Sequence, residues 1–311
     1  MDRPLVSRMA LVALTAGLLA AVPAGAQKLD AASDDPQTVL FIGNSFTYGA
    51  HSPVWKYRDT TVDDLNDDHV GGVPALFKLF TQEAGLHYTV SLETSGGKNL
   101  EWHWDNKRSL VDRPWDHVVM QDYSTLDPQH PGNPQKTITY SGWFAKMFRA
   151  KNPKVDVSLT ATWSRPDQTY VPGGAWYGKP ITQMALDVRH GYDLAAQASP
   201  DIDRVNPVGQ AFNCAMAAGV ADPDPYDGIS YGKVDLWAWD HYHASRFGYY
   251  LEALTDFIGI TGYDPRRFGK TETAADELGI SPDDAVRLQY IAWAETHGQD
   301  CKTVLSGMPA S

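Results

Sequence analysis

The chain has 311 residues, 38 of them acidic and 26 basic, for a formal net charge of −12 at pH 7. A field of that sign repels nucleic acid, anionic membranes and polyanionic substrates, so the composition favours a neutral small-molecule or glycan partner. Ten tryptophans and fifteen tyrosines can stack on sugar faces, although they serve equally as core material.

Residues 1–26 read as a signal peptide. Arg3 and Arg8 form a positive start, Met9 to Val22 an apolar run, and Ala24-Gly25-Ala26 a small-residue cleavage site. The run is short for a membrane span of ~20 residues. The expectation is removal after Ala26 and export to the periplasm or beyond the cell. Residues 27–311 suffice for one domain with a full core, read as a core of about 38–258 followed by a C-terminal helical extension, 259–311. No other stretch is long and apolar enough to span a bilayer, so no stable membrane association is expected.

In chain order, β-branched apolar runs predict strands at Val39–Ile42, Tyr88–Leu92, His117–Met120, Val155–Thr160 and Val205–Pro207. Helical stretches fall between and after them, at Val73–Glu83, Thr137–Ala150, Thr182–Ala198, Arg246–Ile258 and Pro282–Glu295. Ser281 with Pro282 supplies an N-cap and a proline at the first helical position of the last one. The alternation predicts an α/β domain with a parallel sheet. Three polar or proline-rich segments follow strand ends, at 51–72, 124–134 and 166–180, where ligands bind in open α/β sheets. Cys214 and Cys301 are the only cysteines and have no metal-ligand spacing. In an oxidising compartment they can close one disulfide; otherwise they are free buried thiols.

Chemistry is suggested by two segments far apart in the chain. The first predicted strand stops at Gly43-Asn44-Ser45, which delivers a serine at its C-terminal edge. Asp240-His241-Tyr242-His243 stands ahead of a predicted helix. A serine hydroxyl needs a base to take its proton, and the base needs a group to orient it, so these are the parts of acyl-transfer chemistry. His241 lies one residue from Asp240, which turns it away from the Asp-x-x-His geometry. His103, between Trp102 and Trp104, could line the cleft, as could Asn44 and Trp176. No H-E-x-x-H or comparable metal spacing is present, and neither metal nor cofactor is expected.

Taken together, these segments resemble the SGNH, or GDSL-type, hydrolase superfamily. Gly43-Asn44-Ser45 matches its first block, Ser95-Gly96-Gly97-Lys98 lies where its second-block glycine is found, and Asp240-x-x-His243 matches its last. The third block differs: where the family usually has Gly-x-Asn-Asp, this chain reads Met120-Gln121-Asp122, as in branches that carry a glutamine. Pro207-Val208-Gly209-Gln210-Ala211-Phe212 also resembles a little-characterised branch. The resemblance spans roughly residues 38–258.

It implies a three-layer α/β/α sandwich around a flavodoxin-like parallel five-stranded sheet, with the site at the strands' C-terminal edge. It also implies Ser45 as nucleophile, His243 as base and Asp240 as its orienting partner. The oxyanion donors would be the N–H groups of Ser45 and Gly97, with Gly96 the alternative to Gly97, and the side chain of Gln121. The expected activity is that of an esterase, most simply on an acetylated neutral carbohydrate. A lipase or arylesterase would share every one of these residues. A glycan-binding protein without catalysis is the alternative of another class.

Overall fold

Strand β1 (Gln37–Gly43) runs through the middle of the domain, with Val39, Leu40, Phe41 and Ile42 all buried. Successive side chains of a strand point to opposite faces. Val39 and Phe41 accordingly enter one apolar cluster, while Leu40 and Ile42 enter a second on the other side of the sheet. A strand covered on both faces needs apolar residues at every position, which is why this one shows no polar alternation. Each such side chain contributes ~1.5–3 kcal/mol relative to leaving it in water. The computed structural model describes residues 36–308, together with Met1. The predicted leader therefore lies outside the described residues.

The remaining strands are β2 (Asp63–Asp64), β3 (Tyr88–Thr94), β4 (His117–Met120), β5 (Asp156–Thr160) and β6 (Arg204–Asn206). All pair in parallel, in the order β2-β3-β1-β4-β5-β6. Five of the six are the predicted strands in flavodoxin-like order. The sixth, β2, was not expected. It is two acidic residues of the 51–72 segment laid along the edge of β3, with no apolar pattern to announce it.

One helical layer contains α1 (Gly72–Glu83), α6 (Val208–Ala217), α7 (Arg246–Thr261), α8 (Thr273–Glu277) and α9 (Pro282–Thr296). The other contains α2 (Leu100–Val111), α3 (Gln135–Lys151) and α5 (Ile181–Ala198), with the single turn α4 (Pro166–Thr169) leading into α5. The sheet lies between them, as the three-layer expectation requires. Among the described residues no helix is long and apolar enough to cross a membrane.

Helices α2 and α6 were not predicted from the sequence. Helix α2 buries only Leu100, His103 and Val111; it is started by Asn99, whose side chain accepts from Trp102 N at 3.0 Å. Helix α6 is short and follows directly on β6 through Pro207. The C-terminal extension is no appendage, for α9 packs against both α6 and α7. Helix α7 is itself almost wholly buried and brings two acids inside. Asp256 accepts from Thr160 Oγ1 at 3.0 Å and from Asn206 Nδ2 at 2.8 Å, whereas Glu252 Oε2 has no partner.

Cys214 of α6 is joined to Cys301 beyond α9 across 87 positions of sequence, which settles a pairing the sequence left open. A cross-link over a loop of that length restricts the unfolded chain most. Replacing Cys301 by Ser should lower unfolding free energy by about 2–4 kcal/mol in urea titrations, with retention of the fold.

Candidate active site

The C-terminal ends of three strands are level. Gly43 pairs with Thr94, and Ile42 with Met120. The residues just beyond these ends, Asn44-Ser45, Ser95–Gly97 and Gln121-Asp122, therefore meet at one edge of the sheet.

Turning the chain out of β1 buries several backbone groups, and each needs a partner. Asn44 N donates to Gln121 Oε1 at 3.0 Å, and Thr47 Oγ1 donates to the same oxygen at 3.1 Å. Asn44 Oδ1 accepts from Phe46 N at 3.1 Å, while its Nδ2 donates to the carbonyls of Lys98 (2.9 Å) and Asp122 (3.3 Å). A Cβ at Gly43 would stand 2.0 Å from Thr47 Oγ1, so only glycine lets the strand end against this turn. Tyr249 of α7 approaches from the other side, its hydroxyl shared between the carbonyls of Ser45 (3.1 Å) and Ala50 (3.2 Å). Ser45 itself is 6% exposed.

The second segment is equally fixed. Asp240 Oδ1 accepts from the backbone N–H groups of Tyr242 (3.2 Å) and His243 (3.0 Å), and its Oδ2 lies 2.6 Å from His243 Nδ1. That contact leaves Nε2 as the free ring nitrogen, and it has no partner. The Ser45 hydroxyl is thus not bonded to it here; such contacts commonly tighten only when substrate is bound. The two segments are nevertheless packed together. Phe46 stacks on Trp163 with ring centroids 4.3 Å apart and stands 5.5 Å from the His243 ring.

Three residues that motif reading did not single out surround this imidazole. Tyr242 meets it edge-on at 4.2 Å, and the Arg165 guanidinium lies 3.5 Å from the Tyr242 ring centroid. His51 stands 4.8 Å from the His243 ring and puts Nε2 3.8 Å from Asp240 Oδ2. No spacing pattern could have found them, since they come from the segments after β1 and β5 and from the unmarked position inside Asp-x-x-His. His51, Asp240 and His243 bring ligand atoms within 4.8 Å of one another, which a cation could use only in competition with the Asp240–His243 contact.

Burial pushes the His243 pKa below its ordinary 6.5, against the upward pull of Asp240, and the charges of His51 and Arg165 act in the same direction as burial. For Asp240, burial pulls upward, but the hydrogen bonds from His243 and two backbone N–H groups outweigh it and hold the carboxyl below the usual range.

The expected oxyanion donors fare differently. The N–H groups of Ser45, Gly96 and Gly97 donate no backbone hydrogen bond among the described residues. Gly97 has φ +68° with open space where a Cβ would stand. Gln121, by contrast, is 1% exposed and engaged at both ends of its amide. Its oxygen must face the Asn44 N–H, and its nitrogen is turned onto the carbonyl of Asp122. Its oxygen ties the turn together, and one of its two N–H bonds is spent on the Asp122 carbonyl.

The expected cleft-lining roles are corrected too. Asn44 is 2% exposed, with its amide used inside the turn. His103 is buried, with Nδ1 2.6 Å from the buried Glu93 Oε2. Trp176 is buried in the helical layer and donates to Asp187 Oδ2 at 2.8 Å. His241 packs its ring on Tyr226 at 4.3 Å.

No family model and no curated protein matches the chain. Among solved structures, a DUF4886 family protein from Bacteroides uniformis superposes with a TM-score of 0.59 at 19% identity, covering 85% of this chain and 96% of that one. A protein of Parabacteroides merdae assigned as a GDSL-like lipase superposes with a TM-score of 0.50 at 16% identity, covering 73% and 95%. The chain shares the fold of these two proteins, one of them assigned as a GDSL-like lipase. Within that fold, Ser45 and the Asp240–His243 pair lie at the C-terminal edge of the sheet, where the resemblance in sequence puts them.

Two outcomes are expected. An NMR titration should find the His243 imidazole ionising below 6.5, and His51→Ala should move it upward by removing one neighbour that depresses it. Gln121→Leu should cost about 2–4 kcal/mol in chemical denaturation, because it strands two buried donors.

Proposed function

We propose that the protein is an exported serine esterase that removes acetyl groups from a neutral carbohydrate. The observation that carries the esterase reading is the 2.6 Å contact of Asp240 with His243 Nδ1, which leaves Nε2 free beside the turn bearing Ser45. Asp240 would fix the tautomer and stabilise the imidazolium once it forms. His243 takes the proton of the Ser45 hydroxyl as its oxygen attacks the ester carbonyl. The N–H groups of Ser45 and Gly97 receive the oxyanion. His243 then returns the proton to the departing alcohol, and a water activated by the same nitrogen releases the acid and restores the serine.

A depressed His243 pKa suits this role, since a base acts only when neutral. The leader at 1–26 supports export, and the acidic charge with the aromatic content supports a neutral glycan substrate. Acetate release from acetylated oligosaccharides, beside short- and long-chain p-nitrophenyl esters, tests the reading. Ser45→Ala should lower kcat by about a thousandfold or more. Hydrolysis by Ser45→Ala at the wild-type rate would overturn it. Activity confined to long acyl chains would make the protein a lipase. No activity and no serine adduct would leave a binding protein.

A further inference from the structure

The segment inserted after the nucleophile turn builds a pocket. It is about 270 Å³ and is lined by Tyr48 from that turn, by Trp55, Asp68 and Val70 from the insert, and by Thr94, Ser95 and Gly96 from the loop after β3. It therefore borders the loop that carries Gly97, and shares its Tyr48 wall with the turn that carries Ser45.

Its walls are held in place from behind. The Asp64 carboxylate accepts the N–H groups of Asn66 (3.0 Å), Asp68 (3.1 Å) and Val70 (3.0 Å). Lys56 Nζ donates to the carbonyls of Asp68 and His69, each at 2.7 Å. That cation is spent on the backbone, which leaves the Asp68 carboxylate without a salt-bridge partner among the described residues. Trp55 is 44% exposed, with its ring 5.7 Å from that of Tyr48 and inclined by 33°. The pocket thus offers an aromatic wall, an acidic acceptor and the hydroxyls of Tyr48 and Ser95.

This combination selects its ligand. The Asp68 carboxylate, with Asp67 beside it in sequence, repels anions. An ionised carboxylate accepts hydrogen bonds and donates none, so it matches a ligand rich in hydroxyl groups. The tilted aromatic pair covers one apolar face, which is what the C–H side of a pyranose presents. The volume holds one such ring and not a long acyl chain.

We propose that this pocket is a subsite for a single neutral pyranose, placed so that the sugar enters from the side of the 51–72 insert while its ester lies over Ser45. The placement of the ester rests on the esterase reading above; binding of the ring does not.

The experiment compares wild type, Trp55→Ala and Asp68→Asn by the ratio of kcat/KM on an acetylated methyl xyloside to that on ethyl acetate, whose alcohol has no ring. Loss of the negative charge and of one acceptor oxygen should lower that ratio by about tenfold in Asp68→Asn, with a fall in Trp55→Ala as well. An unchanged ratio in both variants overturns the subsite. If wild type hydrolyses neither ester, the esterase reading falls. Saturation-transfer NMR with methyl xyloside then decides the pocket: transfer to ring protons that Trp55→Ala abolishes supports it, and no transfer to wild type overturns it.

Discussion

The structure depends on how the chain leaves β1. A buried strand that ends in a buried turn carries backbone groups that water cannot reach, and each must find a partner inside the protein. One side-chain oxygen, on Gln121, takes both the Asn44 N–H and the Thr47 hydroxyl. Asn44 in turn binds the loops after β3 and β4. Three loops from distant parts of the sequence are thereby locked to one another around Ser45. The N–H groups of Ser45 and Gly97 remain uncommitted because the surrounding polar groups have already satisfied one another.

Helix α7 supplies the other half of the constraint. Tyr249 reaches the carbonyls of Ser45 and Ala50, while the chain entering the same helix carries Asp240 and His243. The serine turn and the histidine are thus positioned by one element, so a shift of α7 would move both together. The disulfide from α6 to the tail beyond α9 braces the layer in which α7 is buried.

Much of this was legible in the residues. The five strands other than β2 were each predicted, most plainly β1, because a strand covered on both faces has no alternative to apolar side chains. Gly43-Asn44-Ser45 and Asp240-x-x-His243 were legible because their spacing is local. The misses have a common cause, which is that pairing between distant residues leaves no periodic trace. That the Gln121 oxygen ties down the turn was not legible, because the Asn44 N–H it accepts lies 77 residues earlier. His103, between two tryptophans, looked able to line the cleft, but it is buried against Glu93, ten residues back. β2 and α2 escaped notice because an edge pairing holds one and a cap the other, rather than an apolar stripe.

The acids inside this layer make its stability depend on pH. Burial raises the pKa of Asp256 to about 7 and that of Glu252 well above the usual carboxylate range. Glu272, which caps α8, is likewise raised by burial to about 7. Unfolded, such groups titrate near about 4, so each binds its proton more tightly in the folded chain. The stability they contribute is complete below that value and is lost as pH rises through about 7. The His243 imidazole, meanwhile, stays neutral further into acid than a free histidine would. A rise in pH through about 7 would therefore loosen the core around α7 at a point where the His243 imidazole is already neutral.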